Sequence, residues 1–130
     1  MMEHSVTLRV RYGETDQMGV VYHANYLHYF ETGRTELLRA AGAPYAELEN
    51  RGVFLVVTGA ELRYRAAARY DDLLRIVTRV ASVGKASVRF ETAIFGGDGR
   101  RLTEGAVDLA SVDASRKPVR LPEDIASLLR

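Results

Sequence analysis

Apolar and polar positions change period twice along this chain. Val6, Leu8 and Val10 alternate with Thr7, Arg9 and Arg11, the period-two pattern of a first strand. Gly13 to Tyr22 breaks that alternation and reads as a loop. From Ala24 to about Ala41 the period is helical, with Leu27, Phe30, Arg34, Leu37, Leu38 and Ala41 on one stripe. Gly42 stands where a helix C-cap belongs, and Pro44 follows it. A short second helix is expected between Pro44 and Asn50, before Gly52. After Val53 the period returns to two. Ala60, Leu62, Tyr64 and Ala66 alternate with Glu61, Arg63 and Arg65; Leu74, Ile76, Thr78 and Val80 with Arg75, Val77 and Arg79; Val88, Phe90, Thr92 and Ile94 with Arg89 and Glu91. Leu102 to Val112 alternates again. Gly96-Gly97-Asp98-Gly99 is a hairpin turn signal, Val83-Gly84-Lys85 is a second turn, and Pro122 to Leu129 reads as a terminal helix.

The order is therefore strand, long helix, then four consecutive antiparallel strands. A sheet with one apolar face must bury it, and the only long element available is the helix. Gly33 sits mid-helix, where it costs about 1 kcal/mol relative to Ala. Close approach of the helix to the sheet would justify it. The expected architecture is α+β, a five-stranded antiparallel sheet wrapped around one long central helix, with short extra helices, in a single domain over residues 1–130.

Composition narrows the chemistry. The chain has 130 residues and no Cys, which removes disulfides, Cys-ligated metal sites and any Cys nucleophile. The only His residues are His4, His23 and His28, so a His-rich metal cage is not expected and no metal ligand set is assigned. The net charge of +1 calls for neither nucleic acid nor membrane. No apolar run approaches the ~20 residues of a membrane span. Met1 to Val10 is charged and alternating, unlike a signal peptide, which implies the cytoplasm. Of 18 basic residues only Lys85 and Lys117 are Lys. Scarce Asn, Gln, Met and Cys fit a hot-growing source, and the Arg bias fits a GC-rich genome equally well.

The informative segment is Tyr12 to Tyr26, Y-G-E-T-D-Q-M-G-V-V-Y-H-A-N-Y, which places Asp16 in a loop just before a helix N-terminus. The first helical N–H groups lack intrahelical acceptors and can bind a carbonyl oxygen that becomes an oxyanion. An acid beside them can activate water or attack the same carbonyl. The combination points to acyl transfer or hydrolysis. An Asp in such a loop is ordinarily a cap or turn residue.

Asp16-x-x-Gly19-x-Val21-Tyr22-x-x-x-Tyr26 resembles the signature of the hotdog-fold thioesterases of the 4-hydroxybenzoyl-CoA thioesterase type. It is most similar in look to the bacterial acyl-CoA thioesterases associated with the Tol-Pal envelope system. The similarity continues through Glu31-x-x-Arg34-Thr35-Glu36 and resumes at Tyr64 to Asp72, and the strand order fits the whole chain. Ala67 stands where that family usually has Pro. The resemblance implies a hotdog fold and a homodimer or homotetramer with active sites at subunit interfaces. It implies Asp16 as the catalytic carboxylate, either general base or nucleophile. It implies the backbone N–H of His23 as donor to the thioester carbonyl, with the imidazole either contacting the acyl-thioester or bonding locally. Coenzyme A would be part of the substrate, and no separate cofactor is implied.

Other residues carry two readings each. Gly19 lets the loop turn with positive φ and, in a thioesterase, lets backbone approach the substrate. Tyr22 and Tyr26 are packing residues or substrate-lining ones. Val57 and Thr58 belong to an apolar run whose default is core, while the resemblance places them beside the acyl pocket. Tyr12 is expected to pack at the strand end or in the core, and Asn25 to cap the helix. Glu31 and Arg34, three apart on the helix, are expected to form a structural ion pair, or Arg34 to pair across a subunit interface. His28 and His4 are expected in solvent. Lys85, Arg89, Arg116 and Lys117, on or near turns, are candidates for the coenzyme phosphates. The reading is an acyl-CoA thioesterase. The alternatives are a hotdog hydratase pairing Asp16 with His23, and a non-catalytic acyl-CoA sensor or scaffold.

Overall fold

The computed structural model describes residues 2–130. Strand β1 (Glu3–Arg9) leads through a 3-10 turn at Tyr12–Glu14 to helix α1 (Asn25–Ala41) and short helix α2 (Tyr45–Asn50). Strands β2 (Phe54–Tyr64), β3 (Leu73–Val83), β4 (Ser87–Phe95) and β5 (Arg101–Val112) follow, and helix α3 (Glu123–Leu129) closes the sequence of elements. The five strands form one sheet in the order β1-β3-β4-β5-β2, every neighbouring pair antiparallel. This is the expected α+β architecture. Among the described residues no helix is long and apolar enough to cross a membrane.

The period-two pattern of β3 and β4 does what it predicts. Leu74, Ile76, Thr78 and Val80 are buried on one face of β3, and Val88, Phe90, Thr92 and Ile94 on the same face of β4. Helix α1 lies across that face, against β3 and β1. It presents Tyr26, Tyr29, Phe30, Gly33, Arg34, Leu37 and Leu38. Gly33 makes the contact close: a Cβ there would fall 2.3 Å from Thr78 Oγ1 and 2.8 Å from Ile76 Cγ2. Gly42 caps the helix in the left-handed region, at φ +87°, which a side chain would strain.

Four expectations are corrected. Leu27 is 43% exposed rather than on the buried stripe, because the face turned to the sheet is centred on Phe30 and Gly33 and includes the two tyrosines. Tyr12 is 79% exposed and packs only its ring edge against Tyr70, at 5.4 Å. Asn25 is the first residue of α1 rather than its cap; its side chain reaches back to the preceding loop instead. His4 is half-buried within β1, opposite Thr78, because β1 has begun by Glu3. The alternation of β2 also weakens: its pairing with β5 shifts register between Val57 and Gly59, and most of the strand is exposed at the sheet edge.

Candidate active site

The loop before α1 is a miniature hairpin. Thr15 and Val21 form an antiparallel bridge. Inside it, the Asp16 N–H donates to the Val20 carbonyl at 2.9 Å and the Gly19 N–H to the Asp16 carbonyl at 3.0 Å. Outside it, the Tyr22 N–H donates to the Glu14 carbonyl at 3.0 Å. Gly19 takes φ +79°, the left-handed turn expected of it. The loop is tied to the connection between β2 and β3 by the Val21 N–H, which donates to the Ala68 carbonyl at 2.8 Å.

Asp16 is half-buried at this hairpin's tip. Its Oδ1 accepts the Met18 N–H at 2.9 Å, and its Oδ2 accepts no hydrogen bond among the described residues. The turn role and a free carboxylate oxygen therefore coexist in one side chain. At the start of α1, the Asn25 N–H donates to the Tyr22 carbonyl at 2.8 Å, whereas the N–H of His23 donates to no protein group among the described residues. His23 is exposed. Its ring lies 4.6 Å from that of Tyr22 and 6.3 Å, edge-on, from that of Tyr64. The Tyr64 hydroxyl donates to the His23 carbonyl at 3.2 Å, which fixes the peptide next to the unclaimed N–H.

The candidate residues divide. Asp16, Gly19, Tyr22 and His23 share this loop, and Tyr22 is 48% exposed. Tyr26 is buried, with its ring 5.6 Å from those of Tyr29 and Tyr64. Burial pushes its phenol above the usual range. It is the wall behind Tyr64 rather than an open surface. Val57 and Thr58 are exposed on β2, and Thr58 Oγ1 donates to the Asp108 carbonyl at 3.2 Å. Tyr64 lies seven residue steps along the strand from Val57, roughly 23 Å. Within one chain the structure does not bring these two to Asp16.

Glu31 and Arg34 form the expected pair at 4.0 Å, with the Arg34 side chain 9% exposed. Arg34 Nε also donates to the Tyr45 hydroxyl at 3.2 Å, a partner the sequence did not suggest. Of the phosphate candidates, Arg89 is held by Glu61 at 2.7 Å and Asp108 at 2.9 Å, so its charge is compensated. Lys85 shares a small cavity with Arg120 and Arg130 beside Leu121. Arg116 and Lys117 lie in the turn after β5, Arg116 at φ +64°. A much larger groove, about 980 Å³, lies on the outer face of the sheet among Arg75, Arg79, Arg101, Glu91 and Glu104. Of the candidate residues, Arg89 lines it.

Four residues near the loop escaped the sequence reading as site residues. Glu14 accepts hydrogen bonds through both its carboxylate and its carbonyl, and Tyr29 donates its hydroxyl to that carboxylate at 3.1 Å. Tyr64 holds the His23 carbonyl, and the Arg69 guanidinium lies over Gly19, where a Cβ would fall 3.9 Å from Nη1. Periodicity placed Tyr64 as one of the alternating positions of a strand, and no pattern links positions 14 and 29. A carboxylate oxygen and a backbone N–H, both unclaimed and flanking one turn, suit chemistry at a carbonyl carbon.

The family model of the thioesterase-like superfamily matches residues 10–129. The acyl-CoA thioesterase YbgC of Haemophilus influenzae is 39% identical over 123 residues, covering 93% of this chain and 90% of that protein. The acyl-CoA thioester hydrolase YbgC of Escherichia coli is 37% identical over 121 residues, 92% of this chain and 90% of that one. Among solved structures, the DHNA-CoA thioesterase of Staphylococcus aureus superposes with a TM-score of 0.90 at 30% identity, over 93% of this chain and 82% of its own. The resemblance read from the Asp16–Tyr26 segment and the antiparallel sheet around α1 thus agree with the relatives: this chain belongs to the thioesterase-like superfamily and is a thioester hydrolase of hotdog fold.

Proposed function

We propose that the chain hydrolyses acyl-CoA to free acid and coenzyme A, with Asp16 as the catalytic carboxylate. The observation that carries this reading is the pairing of a free Asp16 Oδ2 with an unclaimed His23 N–H on either side of the Gly19 turn. The thioester carbonyl oxygen accepts from the His23 N–H, and negative charge develops there as the carbonyl carbon is attacked. As general base, Asp16 takes a proton from water while the water oxygen adds to that carbon. As nucleophile, Asp16 adds directly and forms an anhydride that water then opens. Either way the C–S bond breaks and the thiolate leaves to be protonated. The imidazole of His23 stands beside the departing sulfur. Because the donor is backbone, substitution of His23 leaves it in place. Gly19, Tyr22 and, behind Tyr64, Tyr26 line this half of the site. Coenzyme A enters as substrate, and the scheme requires no metal or further cofactor.

Val57 and Thr58 complete the acyl pocket from a second copy of the chain, in a homodimer or homotetramer whose sites lie between subunits. The support is that β2 is an exposed edge strand and that Val57 lies roughly 23 Å along it from Tyr64, whose hydroxyl bonds to His23 in the same loop as Asp16. The 130 residues act as one domain in this assembly.

The test is a thiol-release assay over short, medium, long and aromatic acyl-CoAs with the wild type and Asp16→Asn. That substitution keeps the volume and removes the charge. We expect wild-type thiol release on some members of the panel and at least a thousandfold loss in Asp16→Asn, with its melting temperature and coenzyme A binding preserved. Near-full turnover of Asp16→Asn would remove Asp16 from the mechanism. Loss of enoyl absorbance without thiol release would mark a hydratase, and binding without either reaction a sensor. Single-turnover hydrolysis in oxygen-18 water, followed by mass analysis of the segment holding Asp16, separates base from nucleophile.

A further inference from the structure

We propose that Glu14 is a positioning residue, gripped at two points by the first two turns of α1, and that this clamp fixes Asp16 relative to the His23 N–H. The inference rests on Asp16 being the catalytic carboxylate. Asn25 and Tyr29 are four apart, so they project from one face of the helix. Both reach Glu14. Asn25 Nδ2 donates to its carbonyl oxygen at 2.8 Å, and the Tyr29 hydroxyl donates to its Oε1 at 3.1 Å. The same Oε1 accepts the Arg11 N–H at 2.7 Å, and the same carbonyl accepts the Tyr22 N–H at 3.0 Å. One residue thus joins the strand leaving β1, both legs of the Asp16 hairpin and the helix that follows.

The clamp is built from ordered parts. Tyr29 is 2% exposed and its ring is fixed edge-on against Tyr26. The Glu14 side chain is 20% exposed, and its Oε2 lies 3.7 Å from Arg11 Nε. Its two anchors act on different parts of Glu14, one on the side chain and one on the main chain, so both are restrained. Asp16 follows two residues later in the hairpin, and the His23 N–H precedes Asn25 by two residues in the turn into α1. Their separation is set by a short covalent path on each side of this clamp. Carbonyl addition is sensitive to that separation: a displacement of about 1 Å can cost on the order of a hundredfold in rate.

The experiment measures kcat, KM and amide hydrogen exchange for Tyr29→Phe, Asn25→Ala, Glu14→Ala and Glu14→Gln beside Asp16→Asn. Tyr29→Phe keeps the ring in the core and removes only the donor. We expect kcat to fall at least tenfold in Tyr29→Phe and Asn25→Ala, with KM within threefold of wild type. Exchange should rise across residues 15–22 while the melting temperature holds. Glu14→Gln, which keeps an acceptor oxygen for Tyr29 and Arg11, should recover most of the kcat that Glu14→Ala loses. With Asp16→Asn inactive, full turnover in both clamp variants overturns the clamp and leaves the role of Asp16 standing. Loss of turnover that tracks global melting, without a local rise in exchange, overturns it as well. An active Asp16→Asn overturns the catalytic reading and the clamp's purpose with it.

Discussion

Gly33 sets how close α1 lies to the sheet. A methyl group there would meet Thr78 Oγ1 and Ile76 Cγ2 inside contact distance. Both side chains belong to β-branched residues that are 0% exposed, so neither has room to turn away. Ala would return about 1 kcal/mol of helix propensity. Overpacking a filled core costs about 1–3 kcal/mol. With a contact this close the second effect wins, and Gly33→Ala should lower the unfolding free energy by up to roughly 2 kcal/mol in urea titration. An unchanged or raised midpoint would mean that the helix can move away from β3. Arg34, the next residue, shows the complementary constraint. Its guanidinium is buried beside Glu31 and Tyr45, where an uncompensated charge would be costly. Adjacent positions on one helix thus hold the smallest side chain and one of the largest, each matched to what faces it.

At the scale of elements, α3 is held chiefly by charge at its exposed first turn and by apolar packing at its buried face. Asp124 accepts two hydrogen bonds from Arg51, just past α2, at 2.8 and 3.0 Å, and Glu123 pairs with Arg130. Bonding to Arg51 holds the Asp124 carboxyl below its usual range, and bonding to Arg130 does the same for Glu123. Both groups bind protons less readily folded than unfolded. Their stabilisation is therefore complete above about pH 5 and is lost as pH falls through and below about 4. Acid unfolding of wild type should show this loss, and Asp124→Asn should flatten it. An identical acid limb in the variant would assign the transition to Glu123, Glu104 or other carboxylates. Most elements were readable from periodicity because each depends on one repeated contrast between inside and outside. The long helix, the Gly42 cap, the Gly96–Gly99 hairpin and the inward faces of β3 and β4 all follow from such local rules. Leu27 was misplaced because the helix's rotation is set by where the sheet meets Gly33, and Asn25 because the helix has already begun there. Asp16, Gly19 and the Glu31–Arg34 pair were legible through fixed spacing. The grip of Asn25 and Tyr29 on Glu14 was not, since it arises only when the loop folds back onto the helix.

At the scale of the whole molecule, the two halves of the proposed site lie on different parts of one chain. Asp16 stands before α1, whereas Val57 and Thr58 lie along β2, an edge strand of 11 residues that begins Phe-Leu-Val-Val and contains no Pro to protect it. A two-fold pairing of β2 edges would give each Asp16 a wall from the other copy. This makes a prediction that no single-chain site can satisfy. Asp16→Asn lacks the carboxylate, and Val57→Trp fills the wall, so each homo-oligomer alone should be inactive. When the two are unfolded together and refolded at equal concentration, half of the dimers should be mixed. In a mixed dimer one site carries both defects and the other carries neither. Turnover should therefore return to roughly a quarter of the wild-type value per chain. Refolding either variant alone controls for simple recovery, and sedimentation confirms the dimer. A mixture as inactive as its parents would place Asp16 and the β2 wall in the same subunit, and the shared-site arrangement would then be wrong.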